Sequence, residues 1–497
     1  MTGDTSRPDL RAATLQGVRW ISAARIVAET TALATSVVLA RLIPPSEFGR
    51  AAVPLVVIAL AAIVGPAGVT SPIVQRPSLE RSHAESVAFL GLTSGATMTL
   101  LTILFGKFAG APLFGEQTAR LILLAAPAWL IVGIGGSSLA MLQRELRFQR
   151  IAIVDGTSVL AGAGTALSLA LSGVDAAAIV TGGLVACATG TLLAVIFAPP
   201  ARPRPDTRVL GEVGGFAASV SSSSFVYSLF RNVDYAILTA RLPAAEVGYY
   251  WRAFQLGVDY QSKISQIMLR ISFPVYSRTE GLEELRRLRM RIVRMHATVI
   301  VPLLAVFVAS APIAIPWLFG PVWEPVVLPA QIMAVAGVGD ALTTGTGPLL
   351  VAIGRPGVLL AWNLCELAIY AVMILVLASH VPLTVSIGVA SFSVAAVVVT
   401  QVALLRPLVR LPLRQFLREI APGVAVGACL AVSLSGLRRA LEEWAGLPDV
   451  IVLLVLGLAA LAIYATLLHS LFPAAWGDLV SVVRRLSASQ RASTADS

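Results

Sequence analysis

Long apolar stretches alternate with short polar segments along almost the whole chain. A helix needs about 20 mainly apolar residues to cross the hydrocarbon core of a bilayer. Counting such stretches predicts an all-α, polytopic membrane protein with 14 transmembrane helices. The predicted spans are residues 15–39, 51–73, 86–106, 119–142, 151–172, 176–198, 212–238, 246–273, 293–317, 326–352, 358–379, 382–405, 416–436 and 449–471. The first, seventh and eighth spans carry several charges. We assign them from the regular spacing of spans along the chain as much as from their hydropathy.

The composition agrees with this pattern. Of 497 residues, 57% are hydrophobic and 13% are charged, whereas soluble domains average roughly 45–50% and 25%. These values exclude a water-soluble enzyme with a single membrane anchor. The first 18 residues are polar and lack the apolar core and cleavage site of a signal peptide. We therefore expect the N-terminus to stay on the side where it is synthesised.

The basic residues predict the orientation. Cytoplasmic loops of membrane proteins carry an excess of Lys and Arg. If the N-terminus is cytoplasmic, 24 of the 37 basic residues fall on inner segments and 7 on outer loops. Both termini, residues 1–14 and 472–497, are then cytoplasmic. The densest basic run, Arg286–Arg294, predicts an interfacial helix that contacts anionic lipids. Since no basic face is interleaved with aromatic residues, nucleic acid is not an expected partner.

An internal repeat divides the chain. The segment VLARLIPPSEFG at Val38–Gly49 resembles LTARLPAAEVG at Leu238–Gly248, about 200 residues later, and SPIVQR at residues 71–76 resembles SFPVYSR at residues 272–278. Six spans per unit return the chain to the same side, so the repeats are parallel. We predict two six-helix lobes around a cleft. Helices 1–6 occupy residues 15–200, a cytoplasmic linker 201–211, helices 7–12 residues 212–405, and an additional C-terminal helix pair residues 416–471.

Polar side chains inside predicted spans are costly and indicate functional sites. In the eighth span they recur every three or four residues, which places them on one stripe of a helix. The stripe comprises Arg252, Gln255, Asp259, Lys263, Gln266 and Arg270, directly after Tyr250 and Trp251. The seventh span adds Tyr227, Arg231 and Asp234, and the first span adds Arg25 and Glu29. These are the candidate substrate-binding residues.

Two interpretations remain open for this set. Arg25 with Glu29, and Arg231 with Asp234, have the spacing of ion pairs within one helix, which would only hold the bundle together. In the eighth span the cations outnumber the acid, and an excess of positive charge inside a membrane requires an anion such as a phosphate. Alternatively, Arg252 and Arg270 extend to the two membrane surfaces.

Acidic residues and cysteines give fewer indications. Asp155, Asp340 and Glu366 lie in predicted spans, where a proton or sodium coupling site and a hydrogen-bonded structural carboxyl are equally compatible with the sequence. The three cysteines and four histidines have no metal-ligand spacing. The sequence therefore predicts no catalytic residues, no metal and no cofactor other than a coupling ion.

The segments Val38–Gly49 and SPIVQR resemble the polysaccharide exporter branch of the multidrug/oligosaccharidyl-lipid/polysaccharide (MOP) superfamily, often labelled lipopolysaccharide biosynthesis proteins. RNVDYAILTARLPAAEVGYYWRA, ISFPVYSR and WLFGPVWEPVVLPAQIMA agree with this resemblance, which covers residues 15–410. It implies a flippase of the bacterial inner membrane that moves undecaprenyl-pyrophosphate-linked oligosaccharide for lipopolysaccharide, capsule or exopolysaccharide synthesis. The implied partners are the lipid-linked oligosaccharide, membrane lipids, and glycan polymerase and chain-length machinery. The serine-rich segment VSSSSFVYS departs from the family pattern.

Other functions stay open at this point. A cation-coupled multidrug antiporter of the same superfamily would have an acidic cavity, whereas the eighth span has more basic than acidic residues. A membrane glycan polymerase or ligase would present a long external loop, whereas the predicted outer loops have about 15 residues or fewer. We therefore expect a transporter and not an enzyme.

Overall fold

The computed structural model describes residues 7–75, 80–266, 268–269, 281–444, 446–473 and 477. All regular secondary structure in these ranges is helical, which confirms the all-α prediction. The chain divides into two compact units, Met1–Gly248 and Tyr249–Ser497. This division lies after the predicted seventh span, whereas the predicted lobe boundary is the linker 201–211. The lobes were defined by the repeat and not by compactness, and they stay a prediction.

The first unit contains nine helices in its described residues. They are α1 (Arg7–Leu42), α2 (Pro45–Gln75), α3 (Arg81–Phe105), α4 (Glu116–Ala125), α5 (Ala128–Arg144), α6 (Phe148–Leu171), α7 (Ala176–Phe197), α8 (Thr207–Phe230) and α9 (Val233–Thr239). A π-helical turn, Gly106–Gly110, and the turn Ala111–Phe114 extend α3. Pro127 separates α4 from α5 within the predicted fourth span, because proline has no N–H for the helix ladder.

Helix α10 (Ala244–Phe254) begins at the end of the first unit and continues through a π-helical turn, Gln255–Asp259. The further helices of the described second unit are α11 (Leu282–Phe319), α12 (Val327–Thr343), α13 (Thr346–Ala352), α14 (Pro356–Leu377), α15 (Pro382–Val399), α16 (Leu413–Trp444) and α17 (Asp449–Leu471). A π-helical segment, Thr400–Leu405, and the turn Arg406–Val409 extend α15.

Eleven helices in the described ranges are long and apolar enough to cross a membrane. They coincide with predicted spans two to six and nine to fourteen. The first and seventh predicted spans, and the described residues of the eighth, are mostly helical but are not among the eleven, and they are the spans with the most polar side chains. A multi-pass membrane protein is therefore confirmed, while the number 14 stays a prediction.

Helix α11 is 38 residues long and has three prolines in its interior, Pro302, Pro312 and Pro316. Because proline has no N–H, each leaves the carbonyl four residues earlier without its usual donor. Tyr464 on α17 donates its hydroxyl to the Thr298 carbonyl at 3.0 Å. Gln331 on α12 donates its amide to the Val308 carbonyl at 2.7 Å. Neighbouring helices thus supply the donors that two of the prolines remove.

The C-terminal pair packs on the same helix. A Cβ on Gly423 of α16 would overlap the Ala297 backbone of α11, and one on Gly427 would lie 2.7 Å from Val301 Cγ1. Glycine therefore permits the close approach of these two helices. Helices α16 and α17 also share one apolar cluster with α11.

Four arginines from predicted inner segments donate to carbonyls at helix ends. The pairs are Arg144 with Ile73 (2.5 Å), Arg150 with Phe197 (2.9 Å), Arg286 with Val409 (2.5 Å) and Arg289 with Leu342 (3.1 Å). The last carbonyls of a helix have no partner within it, and a cation there also interacts favourably with the helix dipole. These arginines therefore act as caps of other helices.

The basic run at Arg286–Arg294 is consequently less available to lipid than expected. It lies inside α11 and does not form a separate interfacial helix. Arg289 is buried, and Arg294 forms a 3.2 Å ion pair with Glu419. Arg287 and Arg291 are exposed, and one helical turn apart they share a face that can contact anionic headgroups.

The bond from Tyr464 to the carbonyl freed by Pro302 gives a testable prediction. We expect Tyr464→Phe to lower the free energy of unfolding by about 0.5–1.5 kcal/mol, the usual contribution of such a hydrogen bond. In a Pro302→Ala background the restored N–H competes for the same carbonyl, so the effect of Tyr464→Phe should shrink. Thermal unfolding of the four proteins of this cycle in detergent measures both effects. Equal losses in the two backgrounds would contradict the assignment.

Candidate functional site

The polar residues of the predicted first and fifth spans lie together. Arg25 and Glu29 form an ion pair at 2.9 Å along α1, and their side chains are 51% and 35% exposed. Helix α1 packs along α6, and Arg25 interacts electrostatically with Asp155 on that helix. The ion pair within one helix is therefore present, and it belongs to a group of three charges. Asp155, a predicted ion-coupling residue, lies beside a cation.

The predicted seventh span is broken. Helix α8 ends at Phe230, and α9 begins at Val233. Arg231 occupies the end of α8 and is half-buried. Asp234 in the first turn of α9 is fully buried, and one carboxylate oxygen accepts the Tyr235 N–H. Tyr227, one turn before the break, is 50% exposed. The break places Arg231 and Asp234 at helix ends, where their charges suit the dipoles.

Arg252 lies in an aromatic box. Its side chain is fully buried, and its guanidinium carbon lies 5.1, 4.6 and 4.9 Å from the ring centroids of Trp251, Phe319 and Trp323. Nη1 donates to Gln255 Oε1 at 2.8 Å. Cation–π contacts are strongest when the cation is removed from water. Arg252 therefore neither extends to a membrane surface nor is open to a ligand in this conformation. Tyr250 is fully buried as well.

The predicted stripe of the eighth span is divided by the π-helical turn Gln255–Asp259. Such a turn holds one extra residue and rotates the following helix by about 100°. Arg252 precedes the turn and bonds to Gln255, which is its first residue. Asp259 is its last residue, and Lys263 and Gln266 follow it on a different face. Lys263 Nζ is 5.3 Å from the Tyr260 ring centroid. The structure does not describe Arg270.

A second polar cluster forms in the second unit, around Asp340. Gln261 donates to Asp340 Oδ2 at 2.8 Å, and Ser265 donates to Gln261 Oε1 at 3.1 Å. Glu366 on α14 interacts electrostatically with Asp340 and hydrogen-bonds the Trp362 side chain. The structure thus brings together Asp340 and Glu366, two residues predicted for ion coupling, through three helical segments.

Gly257 makes this cluster possible. A Cβ on Gly257 would lie 2.6 Å from the Met333 backbone, and a Cβ on Gly337 would overlap the Gly257 carbonyl. Only glycine allows the π-helical turn to approach α12 so closely. This approach brings Gln261 within reach of Asp340. Gln261 lies outside the predicted stripe, so periodicity did not select it.

The segment after Asp340, which is rich in Gly and Thr, is irregular. Helix α12 ends at Thr343, and Gly345 has a φ of 86°. Arg289 is almost fully buried and donates to the Thr344 carbonyl at 2.5 Å and to Thr346 Oγ1 at 3.2 Å. Arg289 therefore fixes the segment that follows the end of α12. The sequence placed this arginine in a cytoplasmic basic run, so its role here was missed.

The repeat-related segments Pro45–Gly49 and Ala244–Gly248 pack against each other within the first unit. A Cβ on Gly49 would overlap the Ala244 carbonyl, and a Cβ on Gly248 would overlap the Pro45 carbonyl. Their backbone turns match too: Glu47 N–H donates to the Pro44 carbonyl and Glu246 N–H to the Pro243 carbonyl, both at 3.0 Å. When the first repeat is superimposed on the second, each half of this contact therefore corresponds to the other half. The other repeated segment, residues 71–76 and 272–278, lies largely outside the described residues.

Residues 38–328 match the family model described as polysaccharide biosynthesis protein. The chain belongs to this family. Lipopolysaccharide biosynthesis protein WzxC of Escherichia coli (strain K12) is 24% identical over 443 residues, which are 86% of this chain and 89% of WzxC. Teichuronic acid biosynthesis protein TuaB of Bacillus subtilis (strain 168) is 23% identical over 368 residues, 73% of this chain and 76% of TuaB.

Two solved structures show the fold of this family member. The lipid II flippase MurJ, in an inward closed conformation, has a TM-score of 0.67 at 11% identity and covers 93% of this chain and 99% of its own. An inward-facing multidrug resistance MATE family transporter of the MOP superfamily has a TM-score of 0.59 at 15% identity, with 82% and 95% covered. The predicted resemblance to lipopolysaccharide and polysaccharide biosynthesis proteins is confirmed.

The described residues contain no group of three or more His, Cys, Asp or Glu side chains that could hold a metal ion. Cys187, Cys365 and Cys429 are free thiols.

The aromatic box around Arg252 predicts a structural role for this residue. We expect Arg252→Ala to lower the free energy of unfolding by about 2–4 kcal/mol, because it removes cation–π contacts and leaves a cavity. Arg241→Ala, at an exposed position nearby in sequence, serves as the control and should leave stability unchanged. Thermal unfolding of the purified variants measures the difference. A melting temperature equal to that of the control would contradict this role.

Proposed function

We propose that the protein exports an undecaprenyl-pyrophosphate-linked oligosaccharide across the bacterial inner membrane for surface polysaccharide synthesis. The observation that carries the proposal is the family match over residues 38–328. The names of WzxC and TuaB, together with a fold shared with a lipid II flippase, support a lipid-linked saccharide as cargo. A pyrophosphate carries negative charge, so a binding site for this cargo must provide cations.

Three cations within predicted spans are accessible enough to meet that need. They are Arg25, Arg231 and Lys263, whose side chains are partly or mostly exposed. Each also has polar or aromatic neighbours, Glu29 for Arg25 and Tyr260 for Lys263. These neighbours hold the cation while no cargo is bound, and pyrophosphate oxygens replace or join them when it binds. Arg252 and Tyr250 are excluded from direct contact because they are fully buried.

Hydroxyl and aromatic groups supply the contacts to sugar. Tyr227 is half-exposed one turn from Arg231, and Trp251, one ring of the aromatic box, is partly exposed. An aromatic face packs on the apolar face of a sugar ring, while its polar edge accepts or donates a hydrogen bond. The prenyl chain remains in the lipid. This arrangement binds the charged and carbohydrate parts of the cargo and leaves the length of the prenyl chain unrestricted.

Translocation follows from the parallel repeat. The lobes 15–200 and 212–405 rock about a cleft and expose the cargo alternately to the two sides. Both termini lie in the cytoplasm in this proposal, as the distribution of basic residues indicates. The predicted linker 201–211 overlaps the start of α8, whose first turn is capped by Asp206 through the Arg208 and Val209 N–H groups.

The carboxylate cluster is proposed to couple transport to a proton or sodium gradient. Asp340 and Glu366 repel each other when both are ionised, so one proton or one cation between them is stabilised. Gln261 holds Asp340 at 2.8 Å and links the cluster to the segment that carries Lys263. Binding of the ion thereby affects the position of Lys263, one of the cations proposed to bind the cargo.

Neutralising Lys263 tests the cargo site. We expect Lys263→Gln to reduce export about tenfold or more, because a charged hydrogen bond contributes about 1.5–3 kcal/mol and 1.4 kcal/mol is tenfold in affinity. Lys263→Arg should retain most export, and the exposed Arg241→Gln serves as a control. Surface polymer and cytoplasmic lipid-linked sugar are quantified at matched protein levels. Full export by Lys263→Gln and Arg231→Gln would refute the site.

Neutralising the carboxylates tests the coupling. We expect Asp340→Asn and Glu366→Gln to make export insensitive to the gradient, whereas Glu324→Gln, an exposed acid in the same unit, should not. Export is measured with a protonophore and separately with a sodium ionophore, which identifies the ion. If all three variants respond to ionophores as the unaltered protein does, the cluster is only structural.

A cation-coupled multidrug antiporter is the second candidate, and the Asp340–Glu366 cluster together with the MATE-like fold favours it. The two functions differ in what a deletion strain accumulates. A lipid-linked sugar on the cytoplasmic side indicates the flippase. Normal surface polymer combined with drug sensitivity indicates the antiporter.

A further inference from the structure

The contact between Pro45–Gly49 and Ala244–Gly248, termed the glycine contact below, is the most symmetric feature of the described chain. Gly49 lies against Ala244, and Gly248 lies against Pro45. Gly49 in the first repeat corresponds to Gly248 in the second, and Pro45 corresponds to Ala244. A contact that maps onto itself in this way lies on the axis that relates the two repeats.

The packing at this contact is backbone on backbone. A Cβ built on Gly49 would lie 3.0 Å from the Gly248 amide nitrogen, and one built on Gly248 would lie 3.3 Å from the Gly49 nitrogen. Both glycines are buried, and so are the preceding residues Phe48 and Val247. The two segments therefore leave no room for water or cargo between them.

Its location makes the contact sensitive to movement of the repeats. Gly49 lies in the first turns of α2, and Gly248 lies in the first turns of α10. Both helices begin immediately after the short connection that follows the first helix of each repeat. Segments on the axis at one end of two rocking repeats approach in one state and separate in the other.

A cavity of about 290 Å³ borders the contact. Gly49, Arg50, Thr118, Thr239 and Leu242 are among its lining residues. Arg50 pairs with Glu47 on the turn before it. The cavity is larger than a few water molecules, and the glycine contact is one of its walls. Separation of the two segments would therefore enlarge it.

We propose that the glycine contact is the closed outer gate of the transport path. This inference rests on the proposed function for the nature of the cargo, but the gate itself is defined by access to solvent. In this conformation Gly49 and Gly248 seal the outer end. When the repeats rock, the segments part and the cavity beside them opens to the outside. Glycine is required because a side chain at either position holds the segments apart.

The gate is tested by thiol labelling of intact cells. The three native cysteines are first replaced by alanine, and Thr239→Cys places one thiol in the cavity. Gly49→Ala and Gly248→Ala, combined with it in turn, should each increase labelling by a membrane-impermeant maleimide several-fold and reduce export. Alanine is a better helix former than glycine, so weakened helices do not explain the increase. Unchanged labelling in both variants would refute the gate.

Gly457→Ala is the matched control. Gly457 lies inside α17, and a Cβ there meets nothing within 4 Å. The same chemical change should therefore leave both labelling and export as they are. An equal increase in this control would show a general effect of the substitution and would overturn the assignment.

A second measurement applies if the gate variants do not accumulate. With both glycines intact, Thr239→Cys should react much more slowly than Arg241→Cys, which lies at the same end on an exposed position. Equal rates, or labelling of Arg241→Cys only after the cells are opened, would contradict a closed outer gate. Labelling needs no cargo, so it tests the gate independently of the proposed function. If a variant exports slowly but no lipid-linked sugar accumulates, the proposed function is contradicted, whereas the labelling result for the gate still stands.

Discussion

Every backbone polar group at membrane depth must find its partner inside the protein, because the hydrocarbon core offers no water. This constraint explains the arrangement of the described helices. Prolines and breaks release carbonyls, and side chains from neighbouring helices bind them. Tyr464 and Gln331 serve two prolines of α11, and Arg289 serves the break after α12. The position of each neighbour is thus specified by a hydrogen bond as well as by packing.

The same constraint sorts the charged side chains into two groups. Arg252 and Asp234 are fully buried and are held by aromatic rings or backbone N–H groups, so they stabilise the fold. Arg25, Arg231 and Lys263 remain accessible and are the ones proposed to bind cargo. The carboxylates Asp340 and Glu366 belong to neither group: both are half-buried, and they interact electrostatically. A charge that is costly to bury is retained where it has such a task.

Most of the helices could be predicted from the sequence because hydropathy over some 20 residues reports burial in lipid directly. The break at Pro127 also has a local cause. The π-helical turn at Gln255–Asp259 has no such local cause. One additional residue in a helix has no signature in the local composition, and the turn depends on the contact of Gly257 with Met333. For this reason the periodic stripe through Arg252 was divided in the structure, and Gln261 was missed. Residues that meet across helices cannot be read from the period of one helix.

The arginine caps on α2, α7, α12 and the turn after α15 act at two stages in the life of the protein. If these loops are cytoplasmic, as the distribution of basic residues predicts, their charges oppose passage through the membrane during synthesis, before the helices have packed. After assembly the same guanidinium groups bind carbonyls of other helices. Lysine would serve the first stage but lacks the planar fork that suits the second. A preference for arginine over lysine in inner loops therefore records folding as well as insertion.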